Sequence, residues 1–235
     1  MVAAFLFVSL LAVLSCCSVL AQEHVVLGDF LDSLGCPGAA SRNTTEMCSW
    51  TGVTCSPSGN VTKVNVGCPG GEFRPLGGLR ALASLSLDIE DSLVLPKGSA
   101  ALAALPPSLQ VLDIDGGRVA TFPPGFLAGA SVLTELRLTS GTLESLPDDV
   151  PVSITLLDAS DNGLRELPRN WDTWSLTSLF MSNSAMPRFP YPVSDDGDAD
   201  CSGPPHLTYV WADSSGIGEV CDVFGSMVRV WSKGD

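Results

Sequence analysis

Apolar residues return along the middle of this chain at a fixed spacing. Segments beginning at Val61, Leu82, Leu109, Leu133, Ile154, Leu176 and Leu207 carry them at their first, fourth and sixth positions, as in Leu109/Leu112/Ile114, Leu133/Leu136/Leu138 and Leu176/Leu179/Met181. Alternation at the fourth to sixth positions is the two-residue period of a strand, with the fourth and sixth side chains inward and the fifth outward. Thirteen residues after most of these starts stands another apolar residue followed by proline: Leu95-Pro96, Phe122-Pro123, Leu146-Pro147, Leu167-Pro168 and Phe189-Pro190. The first segment keeps the proline without the apolar residue, as Arg74-Pro75, and the last holds Val220 and Cys221 in those slots. Proline ends a strand and presets an extended or turning path, so each segment predicts a short strand, a turn and an irregular return. A single such coil leaves its apolar edge open, so neighbouring coils must stack.

Ahead of the repeats, Leu27, Phe30, Leu31 and Leu34 are spaced on one face of a helix, with Gly35 as its stop signal. The first twenty residues contain no charged side chain and an apolar run from Val2 to Leu14. Val19-Leu20-Ala21 follows, and the whole reads as a secretory signal cut after Ala21, lacking the usual basic start. The divisions expected are a signal peptide over 1–21, a cysteine-containing cap over 22–60, repeats over 61–200, and a last repeat with its cap over 201–235.

The repeat lengths and the LxxLxL frame resemble leucine-rich repeats. The run Cys48-Ser49-Trp50-Thr51-Gly52-Val53-Thr54-Cys55, a CxWxGVxC pattern, resembles the N-terminal cap of extracellular leucine-rich-repeat proteins. That cap is known from plant receptor-like ectodomains and polygalacturonase inhibitors, and it is similar in kinetoplastid parasite surface antigens. The resemblance implies an α/β solenoid: a curved leucine-rich-repeat superhelix of about seven coils, with a parallel sheet on the concave face and a mostly irregular convex side. It also implies a helix, a tryptophan and disulfides that shield the first coil, with Cys48–Cys55 closing a small loop and Cys36 paired to Cys68; the sequence itself leaves other pairings open. One slot departs from the family. The ninth position, usually Asn, holds Glu90, Gly117, Gly141, Asn162, Ser184 and Ser215, so small residues and water are expected to replace part of the inner ladder.

Composition sharpens the picture. The 235 residues include 26 Asp+Glu against 12 Lys+Arg, a net charge of −14, which disfavours nucleic acid and anionic membranes as partners. Of eight cysteines, Cys16 and Cys17 leave with the signal. The remaining six, Cys36, Cys48, Cys55, Cys68, Cys201 and Cys221, are expected as three disulfides in an oxidising compartment, with Cys201 and Cys221 stapling the far end. Asn43 and Asn60 head glycosylation sequons. The chain is therefore expected to be secreted, with no membrane span in its mature form.

No catalytic or cofactor-binding constellation is visible. There is no GxSxG, P-loop, HExxH or CxxC, and Cys68-Pro69-Gly70-Gly71 reads as a turn. His206 beside Pro204-Pro205 reads as a solvated loop residue. The acidic run Ser194 to Asp200 lacks the spaced ligands of a calcium loop, so no metal is expected. The candidate site is the outward face of the sheet. Its fifth positions include Asp113, Arg137, Asp158, Phe180 and Trp211, joined by Tyr209 and by Asp213 at a seventh position, while Thr134, Thr155, Thr177 and Thr208 form a structural ladder at the second. Exposed aromatic residues are enriched at binding surfaces. The function expected is a non-enzymatic binding module for an extracellular protein or glycan. An inhibitor of a secreted hydrolase, a parasite-type surface or adhesion protein, and a hydrolase on this scaffold stand as alternatives.

Overall fold

The structure, a computed structural model, describes residues 22–37, 46–147, 149–168, 170–185 and 206–212, together with the backbone of 229–231. Helix α1 spans 22–33. Its apolar face is the expected one, with Leu27, Phe30, Leu31 and the following Leu34 all buried. Gly35 adopts a left-handed φ of 64°, and Cys36 N–H donates to Leu31 O at 3.0 Å while Gly35 N–H donates to Asp32 O at 3.1 Å. These two bonds satisfy carbonyls that the helix end would otherwise leave open.

The short strand β1 (Val53–Cys55) runs antiparallel to β2 (Val61–Cys68), and from there the chain winds in parallel. The remaining elements are β3 (Gly71–Glu72), β4 (Ser84–Ile89), β5 (Leu93–Val94), helix α2 (Ser99–Leu102), β6 (Val111–Gly116), β7 (Glu135–Thr139), β8 (Leu156–Asp158), β9 (Ser178–Phe180), β10 (Tyr209–Trp211) and β11 (Arg229–Trp231). The main sheet has the order β1-β2-β4-β6-β7-β8-β9-β10-β11. A strand thus lies in each of the seven expected segments, and the architecture is the parallel-sheet solenoid that the pattern predicted. β11 was not predicted. It pairs Val230 with Val210, but the sixth slot of its frame would be Ser232, so the apolar triplet that marks the other coils is absent.

Register is held without slippage at the inward positions. Val64, Leu85, Leu112, Leu136, Leu157, Leu179 and Val210 stand opposite one another in successive strands, each with 0% exposure. Every coil thereby covers the apolar edge of the one before it, each such side chain contributing about 1.5–3 kcal/mol. Behind the sheet, aromatic rings link cap to coils: Phe30 to Phe73 at 5.0 Å, Phe73 to Phe126 at 5.2 Å and Phe126 to Phe122 at 5.3 Å. Phe73 also corrects the reading of the first coil. The returning apolar residue is not missing there; it stands one place early, fully buried, while Arg74 and Pro75 are exposed.

The cap closes with two disulfides, Cys36–Cys68 and Cys48–Cys55. Trp50 is buried beside α1, its ring 5.0 Å from His24 and edge-on to it. Glu23, only 2% exposed, ties α1 to the sheet, since its Oε2 accepts the Val61 N–H at 3.1 Å.

The ninth slot is filled by different means in different coils. Asn162 is buried, its Nδ2 donating to Leu138 O at 2.6 Å, Ser160 O at 3.0 Å and Ala159 O at 3.3 Å, while its Oδ1 accepts the Leu143 N–H at 2.9 Å. At Gly117 the backbone performs part of this task. With φ 77° the glycine turns its own carbonyl inward to accept the Leu93 N–H at 2.7 Å. Beside Gly116, Gly141 and Asn162 a void of about 10 Å³ remains, near the space one water occupies.

Candidate functional site

The fifth positions form one continuous row across six strands: Ser86, Asp113, Arg137, Asp158, Phe180 and Trp211, each opposite the next. Neighbours in such a row stand about 4.8 Å apart. All six are half-buried, whereas Leu179, Met181, Val210 and Ala212 beside them are 0–5% exposed. The inward and outward sets are therefore those the sequence assigned.

The acidic half of the row is organised by local partners. Ser86 Oγ donates to Asp113 Oδ2 at 3.2 Å, and in the next row Thr139 Oγ1 donates to Asp115 Oδ1 at 2.9 Å. Asp158 Oδ1 accepts the Ser160 N–H at 3.0 Å. Arg137 turns along its own strand to Glu135, Nη1 to Oε2 at 2.9 Å. Burial holds the Asp113 carboxyl above the usual carboxylate range, with the Ser86 hydrogen bond and Arg137 opposing the rise and Asp115 and Asp158 adding to it. Sequence reasoning missed Glu135, although a spacing of two on a strand puts it on the Arg137 face.

The aromatic half follows directly. Phe180 and Tyr209 stand with ring centroids 5.3 Å apart and planes tilted by 46°, and Trp211 continues the row on β10. Asp213, Asn43, Cys201, Cys221 and the acidic run 194–200 lie outside the described residues. Asn60 is half-buried, its Nδ2 donating to Ser58 Oγ at 3.1 Å, and Thr62 of the same sequon donates to Thr54 O at 3.1 Å. His206 is exposed at the entrance to β10.

Along the edge of the face the threonines form a hydrogen-bonded ladder. The hydroxyls of Thr134, Thr155, Thr177 and Thr208 donate to the carbonyls of Gln110, Thr134, Thr155 and Thr177, at 3.1, 3.0, 2.9 and 3.2 Å. They hold consecutive strands together.

A groove lies on the return side, beside the prolines of three successive coils. This open groove of about 720 Å³ is lined by Phe122, Pro124, Ser145, Asp149, Glu166 and Asn170 among others. Asp149 Oδ2 there accepts the Leu127 N–H of the preceding coil at 3.2 Å, which gives that carboxylate a structural task.

Among the described residues, no group of three or more His, Cys, Asp or Glu is placed to hold a metal ion, and no helix is long and apolar enough to cross a membrane.

No family model and no curated relative matches the chain. Among solved structures it is similar to the leucine-rich-repeat ectodomain of the receptor kinase SOBIR1 from Arabidopsis thaliana, at 20% identity and a TM-score of 0.47, over 70% of this chain and 92% of that one. It is also similar to PEPR1–AtPEP1, at 17% identity and a TM-score of 0.32, over 83% of this chain and 38% of that one.

Proposed function

We propose that this protein is a secreted, non-enzymatic leucine-rich-repeat module that binds an extracellular protein or glycan on the outward, concave face of its sheet. One observation carries the reading: Asp113, Arg137, Asp158, Phe180 and Trp211 form an unbroken row in which carboxylates give way to aromatic rings. Arg137 is already engaged by Glu135, so the coils ahead of Phe180 present Asp88, Asp113, Asp115 and Asp158 as the dominant charge. A ligand with basic groups over these coils and apolar groups over Phe180, Tyr209 and Trp211 meets both halves. Desolvating the rings would supply most of the affinity and the carboxylates the orientation. The apolar leader at 1–21 and the two disulfides support export. A third pair, Cys201–Cys221, and glycans on Asn43 and Asn60 belong to the same proposal.

The test uses Tyr209→Ala and Trp211→Ala, read for both melting temperature and capture of ligand from the surrounding extracellular medium. Lost capture at unchanged melting temperature supports the site. A large fall in melting temperature assigns the rings to packing instead, and the site must then be sought at Asp113, Arg137 and Asp158. A fall in the activity of a co-incubated secreted hydrolase would make the module an inhibitor.

A further inference from the structure

Asn162 and Gly163 form the one Asn-Gly step in the chain. In an open chain this step is chemically weak, because glycine leaves its amide nitrogen unhindered beside the asparagine side chain. The Gly163 nitrogen loses its proton and attacks Cγ of Asn162; the Cγ–Nδ2 bond breaks and ammonia departs, leaving a five-membered succinimide. Water then adds to either ring carbonyl, and opening yields aspartate or isoaspartate. Water is the sole co-reactant.

The fold opposes every part of that reaction. Asn162 is 8% exposed. Its Nδ2 is held by the carbonyls of Leu138, Ser160 and Ala159, and its Oδ1 by the Leu143 N–H. Swinging Cγ onto the Gly163 nitrogen requires breaking these bonds in a buried space. The reaction product also fits nowhere in the same site. A carboxylate has no N–H to donate, so it would confront three carbonyl oxygens while desolvated, an arrangement burial penalises heavily. Isoaspartate would further lengthen the backbone inside a coil whose register with its neighbours has no slack.

We propose that Asn162–Gly163 is a latent deamidation site, shielded while its coil is closed and converted when the coil opens, so that the modification makes unfolding of this part of the solenoid irreversible. The proposal is independent of the ligand-binding reading. It makes the working lifetime of the protein a count of opening events.

Gly163 supplies the control. A Cβ there would stand 3.5 Å from Leu143 O and 3.9 Å from Glu144 Cγ, ordinary contacts, and no left-handed φ is required at this position. Gly163→Ala therefore suits the fold while crowding the attacking nitrogen. The experiment holds the disulfide-intact protein and Gly163→Ala at mildly alkaline pH, in native buffer and in denaturant. Asn162 is then mapped by peptide mass, and the refolded fraction is measured after dilution. The native protein should convert at Asn162 at least about tenfold more slowly than the unfolded chain, as expected of a group that reacts only through opening. The unfolded chain should lose refolding competence in step with conversion, and Gly163→Ala should keep it. Equal conversion in native buffer, full refolding of the converted chain, or equal loss of refolding in Gly163→Ala would each overturn the proposal.

Discussion

Asn162 and Gly141 occupy the same space from adjacent coils. A Cβ on Gly141 would stand 2.8 Å from Asn162 Oδ1, closer than such contacts occur. The ladder asparagine of one coil thus reaches so far into the coil before it that the ninth slot there must be empty. The Asn of one coil and the Gly of the coil before it are a single arrangement.

This pairing predicts non-additive mutations. Gly141→Ala alone should destabilise by about 1–3 kcal/mol through overpacking. Asn162→Ala alone should lose about 2–4 kcal/mol, since it leaves buried backbone groups unpaired. In the double variant the methyl group has room, so the combined loss should fall well below the sum. Urea denaturation of the four proteins decides it, and strict additivity would contradict the shared-space account.

The cap should depend most on its longer crosslink. Cys36–Cys68 spans 32 residues and Cys48–Cys55 spans 7. Replacing the first pair by serine should cost about 3–4 kcal/mol and replacing the second less, on the loop-entropy account. Alkylation of the unreduced, denatured mature chain should label none of its six cysteines. Two labelled thiols would remove the proposed Cys201–Cys221 pair.

Asp113 gives stability a pH signature. Its carboxyl titrates above the ordinary carboxylate value in the folded protein because burial disfavours the charge. Between that ordinary value and the raised one, the folded state binds more protons than the unfolded, so stability falls as pH rises through this window. Asp113→Asn retains an acceptor for Ser86 Oγ and removes the buried charge. It should raise the melting temperature at neutral pH, and the gain should shrink as pH falls from the raised value toward the ordinary one and vanish below it. A gain that does not change with pH would place its origin elsewhere.

The threonine ladder is expected to be structural. Thr155→Val keeps the shape and deletes a hydroxyl that donates to Thr134 O at 3.0 Å. It should cost about 1 kcal/mol in thermal or urea unfolding and leave ligand capture unchanged. Lost capture at full stability would instead place the ligand at this edge of the face.

Much of the solenoid was readable because its information is local and periodic. The fourth and sixth residues of each segment are apolar and bury without exception from Leu85/Leu87 to Val210/Ala212, so the outward row was legible from the same period. The strand beginning at Arg229 escaped because its frame carries a serine where the others carry an apolar residue. Phe73 escaped because it stands one place out of frame.

The sequence alone determined the coil, its register and the order of acidic and aromatic residues along the face, since each depends only on residues a few positions apart. What it left undecided were relations between coils. Glu23 finds Val61, Phe30 finds Phe73, Phe73 finds Phe126, and Asn162 claims the space above Gly141 across separations of roughly twenty to fifty residues. These contacts exist only once the coils are stacked, because burial and the resulting need to pair every backbone amide are properties of the closed solenoid. The same closure lifts Asp113 out of the ordinary carboxylate range and protects the amide of Asn162, which no local pattern records.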